Sequence, residues 1–579
     1  MEPLMKKSRI VLAAFAVLLP LLSFAQEAID AAVKDEVESF WTPDVKTSTK
    51  LMVRIGKLML LEPQESAPAP VPDAEAKKNG FLLFKRSLAE KINYNTNPKK
   101  EELNPGLLDM SACAGEMLVF TIGVFPLSEG ALSVGASDLK SPDGSISAGS
   151  NIEIRNVKYL LKQGAMGAMV QPEITVKEAD IKIKPGVTRQ VLVLIQIPEG
   201  AKPGVYEGSL AFSTKGGRSE VKLKTEVLPF KLEENPSMTF GWEMGPKTGA
   251  DYELFKKLGC NSVGEGLEPS VISVSGGKVK LDFSKADKTA EFLKKYGLDG
   301  FEQKIHYADV GNAIAQLART NELSPEFMDA YKDAVIQMQA WQKAKGIKAA
   351  YWIADRVFNA PPYPGNKSMN YCMQVMKVIK GIPGVRVMVN PTNAGDAGAN
   401  YADLVAALDI AGVYAEKTCA ANLAKGLEKG NINLFGAGRS RISWGFLPWK
   451  YKAVGRTELN FLSWDEKTSR SPQSVSSSYS SFTAGGICYP EKDGYSTTIT
   501  AELVRQGIMD NRYLYTLEKM IDSALKGNDP AKKSEAKRAS DKLNALRAKI
   551  PEFKDEAAAI DAQCGELRKM LVEEIVKLK

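Results

Sequence analysis

"YWIADRVFN", Tyr351 to Asn359, reads as a buried apolar strand that stops on an aspartate with an arginine beside it. It belongs to a series. Beyond Glu234 and Asn235 the chain alternates strand and helix, and eight strand candidates can be counted: "MTFGWEMG", "NSVGEG", "GFEQKIHY", "KAAYWIAD", "VRVMVNP", "IAGVYAEK", "NINLFGAG" and "ELNFLSW". Helical stretches such as "DYELFKKLG", "KADKTAEFLKKYG", "FMDAYKDAVIQMQAWQKAKG" and "YADLVAALD" lie between them. Eight strand–helix units over roughly 230 residues are the size of a (β/α)8 TIM barrel.

Upstream the period changes. From Phe81 to about Phe230, "MLVFTIGVFPL", "NIEIRNVKYLL", "RQVLVLIQIP" and "SEVKLKTEVLPF" alternate or run apolar, separated by "SPDG", "KPG" and "KGG" turns. Short strands with regular turns predict a β-sandwich. The tail predicts a helical hairpin: Asp529 is placed to cap, Pro530 stands at the first helical position, and Ile560, Leu567, Leu571, Ile575 and Leu578 share one face. The fold class is therefore multidomain α/β plus β, divided as 26–80 poorly defined with a Pro/Ala-rich linker, 81–234 sandwich, 235–520 barrel and 521–579 helical. Residues 1–25 read as a secretory signal peptide, with Lys6, Lys7 and Arg9 before an apolar run that ends near Ala25. The expectation is an exported protein, periplasmic or extracellular, without a membrane span, since no later apolar run approaches about 18 residues.

Composition narrows the chemistry. The net charge of +7 is a small excess over 76 basic and 69 acidic residues, with no basic stripe interleaved with aromatics, so nucleic acid is not an expected partner. Cys113, Cys260, Cys372, Cys419, Cys488 and Cys564 have no C-x-x-C spacing and read as buried thiols. His306 is the only histidine, which excludes multi-histidine metal sites and leaves a single base for any activated nucleophile. No metal or cofactor is expected, and carboxylate chemistry remains.

In a barrel of this type the site forms at the C-terminal ends of the strands. Read in order, those ends bring Trp242 and Glu243, Glu265, Glu302 with His306 and Tyr307, Trp352 with Asp355 and Arg356, Asn390 and Asn393, Tyr414 and Glu416, Arg439 and Arg441, and Trp464 with Asp465 and Glu466. Aromatic faces stack on sugar rings, and carboxylates bond hydroxyls or protonate a glycosidic oxygen, so the inventory suits carbohydrate.

From about Phe81 to Glu518 the chain resembles the glycoside hydrolase family 123-like proteins. "ACAGEMLVFTIGVFPL", "VGASDL" and "IPEGAKPGVYEGSLAF" resemble that family's N-terminal domain. "YPEKDGYSTTITAELVRQGIMDNRYLYTLE" is similar to its closing signature through Glu502, Arg505, Gly507, Asp510, Arg512 and Tyr513, with Met509 where an acid is common. The resemblance implies action on terminal β-linked N-acetylhexosamine of GalNAc type by a substrate-assisted route, with an Asp-Glu pair after the fourth strand. Here the pair is Asp355 and Arg356. Asp355 keeps the orienting position, but a guanidinium does not donate a proton near neutrality. Three readings follow: Glu416 or Glu302 supplies the proton, Arg356 grips a sulfate or carboxylate and turns the site to an anionic sugar or to binding alone, or Arg356 pairs with Asp355 or a neighbour in a vestigial pocket; a catalytically degenerate carbohydrate-binding protein is the alternative function. Trp242, Glu243, Trp352, Tyr307, Tyr414, Trp464 and Arg356 are the expected substrate-binding residues, and the expected partner is an amino-sugar glycan. A cell-envelope structural protein is a third functional class.

Overall fold

The computed structural model describes residues 67–164, 167–354, 357–358, 367–390, 401–416, 419–462, 486–491 and 494–579. The expected signal peptide, the first part of the linker, Asp355, Arg356, Asn393 and Trp464 to Glu466 lie outside them. The chain divides into two compact units, the first running to Pro229 with Ser496–Ile499 added, the second from Phe230 with most of the remaining chain.

In the first unit, a five-stranded sheet is ordered Phe81–Lys85, Met117–Pro126, Arg189–Gln196, Ile152–Gly164, Gly167–Val176. A second sheet is built on Leu107–Ala112, Arg218–Val227, Gly204–Ser213, Gly130–Ala136 and Asp180–Ile183. Ile122, Val124, Val191, Val193 and Ile195 from the first share one apolar cluster with Leu108, Leu210, Phe212, Val221 and Leu223 from the second. The two sheets are therefore packed face to face, as alternation along their strands requires. The run Arg189–Gln196 is apolar without alternation because both its faces are covered: Leu192 and Leu194 join a separate cluster with Val157. Gly123 is opposite Phe84 in the ladder, and the Phe84 ring occupies the place where a β-carbon would stand, 2.1 Å away.

The second unit is organised by eight parallel strands: β1 (Thr239–Trp242), β2 (Ser262–Val263), β3 (Gln303–Ile305), β4 (Ala349–Ala354), β5 (Val387–Val389), β6 (Ile410–Val413), β7 (Ile432–Phe435) and β8 (Gly455–Glu458). The ladder runs β2-β1-β8-β7-β6-β5-β4-β3, a nearly closed barrel. Between β2 and β3 a side chain does the joining. Gln303 accepts from the Val263 amide at 2.9 Å and donates to the carbonyls of Asn261 and Leu298, while Ser262 Oγ donates to the Glu302 carbonyl.

Seven of the strands coincide with the expected segments. The eighth is "GRTE", upstream of the expected "ELNFLSW". Its central arginine hides it from a hydropathy reading. Arg456 is fully buried, donates to the carbonyls of Ser443, Gly438 and Thr457, pairs with Glu458 at 2.8 Å and lies over the Trp444 ring. Burial of a guanidinium is tolerable only with its donors satisfied in this way. Ala350, Trp352, Met388, Ile410 and Phe435 come from four successive strands into one cluster, which fills the barrel interior.

The tail is helical as expected. Asp529 accepts from the amides of Ala531 and Lys532 at the start of a helix over Pro530–Lys549, and Leu571, Ile575 and Leu578 are buried on the last helix, Cys564–Leu578. All six cysteines are buried and none forms a disulfide. Among the described residues no helix is long and apolar enough to cross a membrane.

Candidate functional site

Because the strands are parallel, their C-terminal ends share one side of the barrel. Glu243 follows β1, Glu265 follows β2 by two residues, His306 follows β3, Tyr414 follows β6, and Glu458 ends β8. Trp352 is fully buried beneath them, its indole N–H donated to the Ala354 carbonyl and its ring packed edge-on against Phe435. It forms a floor.

His306 is the centre of the polar group. Its Nδ1 is 3.1 Å from Asp309 Oδ2, on the first turn of the helix Tyr307–Ala318, and its Nε2 is 4.0 Å from Glu243 Oε1. The edge of the imidazole meets the Trp352 ring at a centroid distance of 5.3 Å. A carboxylate only accepts, so Asp309 fixes the Nδ1–H tautomer and leaves Nε2 to exchange a proton. The hydrogen bond from His306 holds the Asp309 carboxyl below its ordinary range.

Close approach of β1 and β2 brings two more carboxylates into the group. A β-carbon on Gly264 would lie 2.7 Å from Glu243 Cα and 2.8 Å from the Trp242 carbonyl, so glycine is required there for the two strand ends to meet. Burial, and secondarily Glu268, push the Glu265 carboxyl up, against the pull of His306, Lys247 and Lys285. The arrangement can hold a proton, pass it through Nε2, and stabilise positive charge in the mouth.

The structure therefore brings together Glu243, Glu265, His306 and the Trp352 floor, with Tyr414 half-buried against Phe435. Three expected site residues are placed elsewhere. Glu302 precedes β3, at its N-terminal end, where it pairs with Arg386 at 2.7 Å; its neighbour His306, four residues on, has the mouth position. Trp242 points away from the barrel interior and stacks on Trp444 at 5.1 Å, and the Tyr307 ring lies between Tyr331 and Tyr351 with its hydroxyl on the Tyr331 carbonyl. Both are fully buried, as is Trp352, so none of the three offers a face to a sugar. Alternation along a strand explains the error: adjacent residues at a strand end face opposite sides. Glu416 is ion-paired to Lys554, whose amide donates to the Ala415 carbonyl. Asp355, Arg356 and Trp464 lie outside the described residues.

Asp309, on His306, was missed by sequence reasoning, as was Glu458, the partner of the buried Arg456. A signal existed for Asp309, since an acid three residues beyond a strand-end histidine is within reach once a helix starts between them. None existed for Glu458, which the hydropathy pattern put at the start of a strand. The block resembling a closing signature has a structural role here. Asp510, fully buried, accepts from Arg441 at 2.6 and 2.9 Å and from Arg568 at 2.5 Å. Gly507 lets its helix approach the Arg441 carbonyl, which a β-carbon would meet at 2.4 Å.

No protein-family model and no curated protein sequence matches the chain. Among solved structures it is similar to a family 123 glycoside hydrolase from Clostridium perfringens, described for glycolipid glycan hydrolysis, with a TM-score of 0.63 and 14% identity over 86% of this chain and 99% of that one. A GH10 xylanase from termite gut, with a bacterial Ig-like domain, reaches a TM-score of 0.32 and 9% identity over 70% of this chain and 100% of its own, too loose to align residues. Likeness to the family 123 enzyme is a likeness of fold.

Proposed function

We propose that the protein is an exported, glycoside hydrolase-like protein that acts on terminal β-linked N-acetylhexosamine, of GalNAc type, in glycans. The observation that carries this reading is the convergence of Glu243, Glu265 and the only histidine at the C-terminal ends of β1 to β3. The fold shared with a glycolipid glycan hydrolase supports it. In a substrate-assisted route the acetamido oxygen of the sugar attacks C1, and Asp355 is the residue proposed to orient that amide.

The residue next to it, Arg356, favours a second reading, a carbohydrate-binding protein that has lost turnover. Aryl β-N-acetylgalactosaminide and β-N-acetylglucosaminide assays on the mature protein, Asp355→Asn and Arg356→Glu separate the two. Hydrolysis by the wild type, lost on Asp355→Asn, supports the enzyme. Turnover by Arg356→Glu alone, or binding without turnover by every form, supports the binding protein.

A further inference from the structure

Of the two carboxylates expected to supply a proton, Glu302 is at the wrong end of its strand and Glu416 is tied to Lys554. His306 is a titratable group at this end that is held by fixed partners, its Nε2 buried. Its Nδ1 is fixed by Asp309, its ring is braced by Trp352, and its Nε2 side faces Glu243, with only 15% of the side chain exposed. The acidic groups facing it come from three elements: Asp309 from its own helix, Glu243 from the end of β1, and Glu265 from the segment after β2. Two of these contacts are direct.

We propose that His306 is the general acid and base of the site, a role that rests on the glycosidase reading above. As imidazolium, it gives its Nε2 proton to the glycosidic oxygen. The C1–O bond breaks with its electron pair on that oxygen, which departs as an alcohol, while the acetamido oxygen bonds to C1 and closes an oxazolinium. Water then adds to C1 and loses a proton to the neutral Nε2. The C1–O bond to the acetamido group breaks back to the amide, and the sugar and the imidazolium are regenerated. Asp309 is a positioning residue. Glu243 holds the imidazolium toward the substrate.

The experiment compares phenyl and 2,4-dinitrophenyl β-N-acetylhexosaminides, because the second leaving group departs without a proton. His306→Ala and Asp309→Asn are measured beside the wild type, with thermal unfolding of each. For His306→Ala the expected result is a fall of about a hundredfold to ten-thousandfold in kcat on the phenyl glycoside, with the dinitrophenyl rate nearly kept. The limb of the pH profile in the imidazole range is expected to disappear with it. Asp309→Asn is expected to lose less and to shift that limb. Equal loss on both substrates, or no loss on either, overturns the assignment of His306 and leaves the glycosidase reading standing. A wild type inactive on both overturns the two together.

Discussion

The two ends of the barrel carry acidic residues in different company, although Glu416 and Glu458 at the C-terminal ends are ion-paired too. At the N-terminal ends of the strands, Glu302 meets Arg386 at 2.7 Å, Asp409 meets Lys380 at 3.1 Å while accepting the Val387 amide, and Lys429 donates to the carbonyls of Ala406 and Leu408. Opposite charges touch there. At the C-terminal ends, Glu243, Glu265 and Asp309 surround one imidazole, and burial with Glu268 nearby raises the Glu265 carboxyl. Crowding acids in a half-buried place lowers stability, so such an arrangement marks a site held for chemistry. The paired end serves the fold.

Lys304 is the group that tests this contrast most severely. It is 3% exposed, beside Ser262 Oγ at 3.3 Å, and burial lowers its amine to about 8 despite the opposing influence of Glu302. Below that pH the lysine is charged folded and unfolded, and the fold bears the whole desolvation penalty. Between about 8 and 10.5 the folded form releases its proton first, so stability rises with pH across that window. Lys304→Met is expected to stabilise the protein at pH 7 by about 2–3 kcal/mol, a gain that vanishes above pH 10.5, read by denaturant unfolding. Absence of any gain would mean that Glu302 already neutralises the lysine, extending the paired end into the barrel.

Burial raises both the Glu265 and the Glu302 carboxyls, but only Glu302 has a paired arginine opposing the rise, so Glu265→Gln and Glu302→Gln should differ in size. Burial raises the folded Glu265 carboxyl above its ordinary value, so its ionised form is the one the fold disfavours. The penalty is absent at low pH, where both states are protonated, and grows as pH rises. Glu265→Gln is therefore expected to gain about 1 kcal/mol at pH 7 and nothing near pH 4, measured by thermal unfolding. Glu302→Gln loses the pairing with the half-exposed Arg386 but also relieves the burial of the carboxylate, so stability at pH 7 is expected to change by no more than roughly 0.5 kcal/mol, with turnover unchanged. If Glu302→Gln gains as much as Glu265→Gln, the two ends are alike and the contrast fails.

Much of this architecture was legible. Apolar runs ending in turns gave the sandwich strands, and seven barrel strands announced themselves by short buried runs between helical periods. The eighth was invisible because Arg456 is made tolerable by carbonyls and by Glu458, partners set by tertiary structure alone. For the site, a strand's identity was easier to read than its direction of facing. Trp242 and Glu243 are adjacent, yet one packs among aromatics and the other meets His306. Glu302 was assigned to the mouth because the limits of β3, only three residues long, were not evident.

Gln303 has a consequence for His306 that neither residue shows alone. Elsewhere in the ring neighbouring strands are laced by backbone bonds, while β2 and β3 are clasped chiefly by one carboxamide. Glu243 rides on the β2 side of that clasp through the Gly264 amide on Trp242, and His306 lies three residues beyond the clasp on the other side. The separation of the imidazole from Glu243 is therefore gauged by a single amide, and a change of one side chain would spring it.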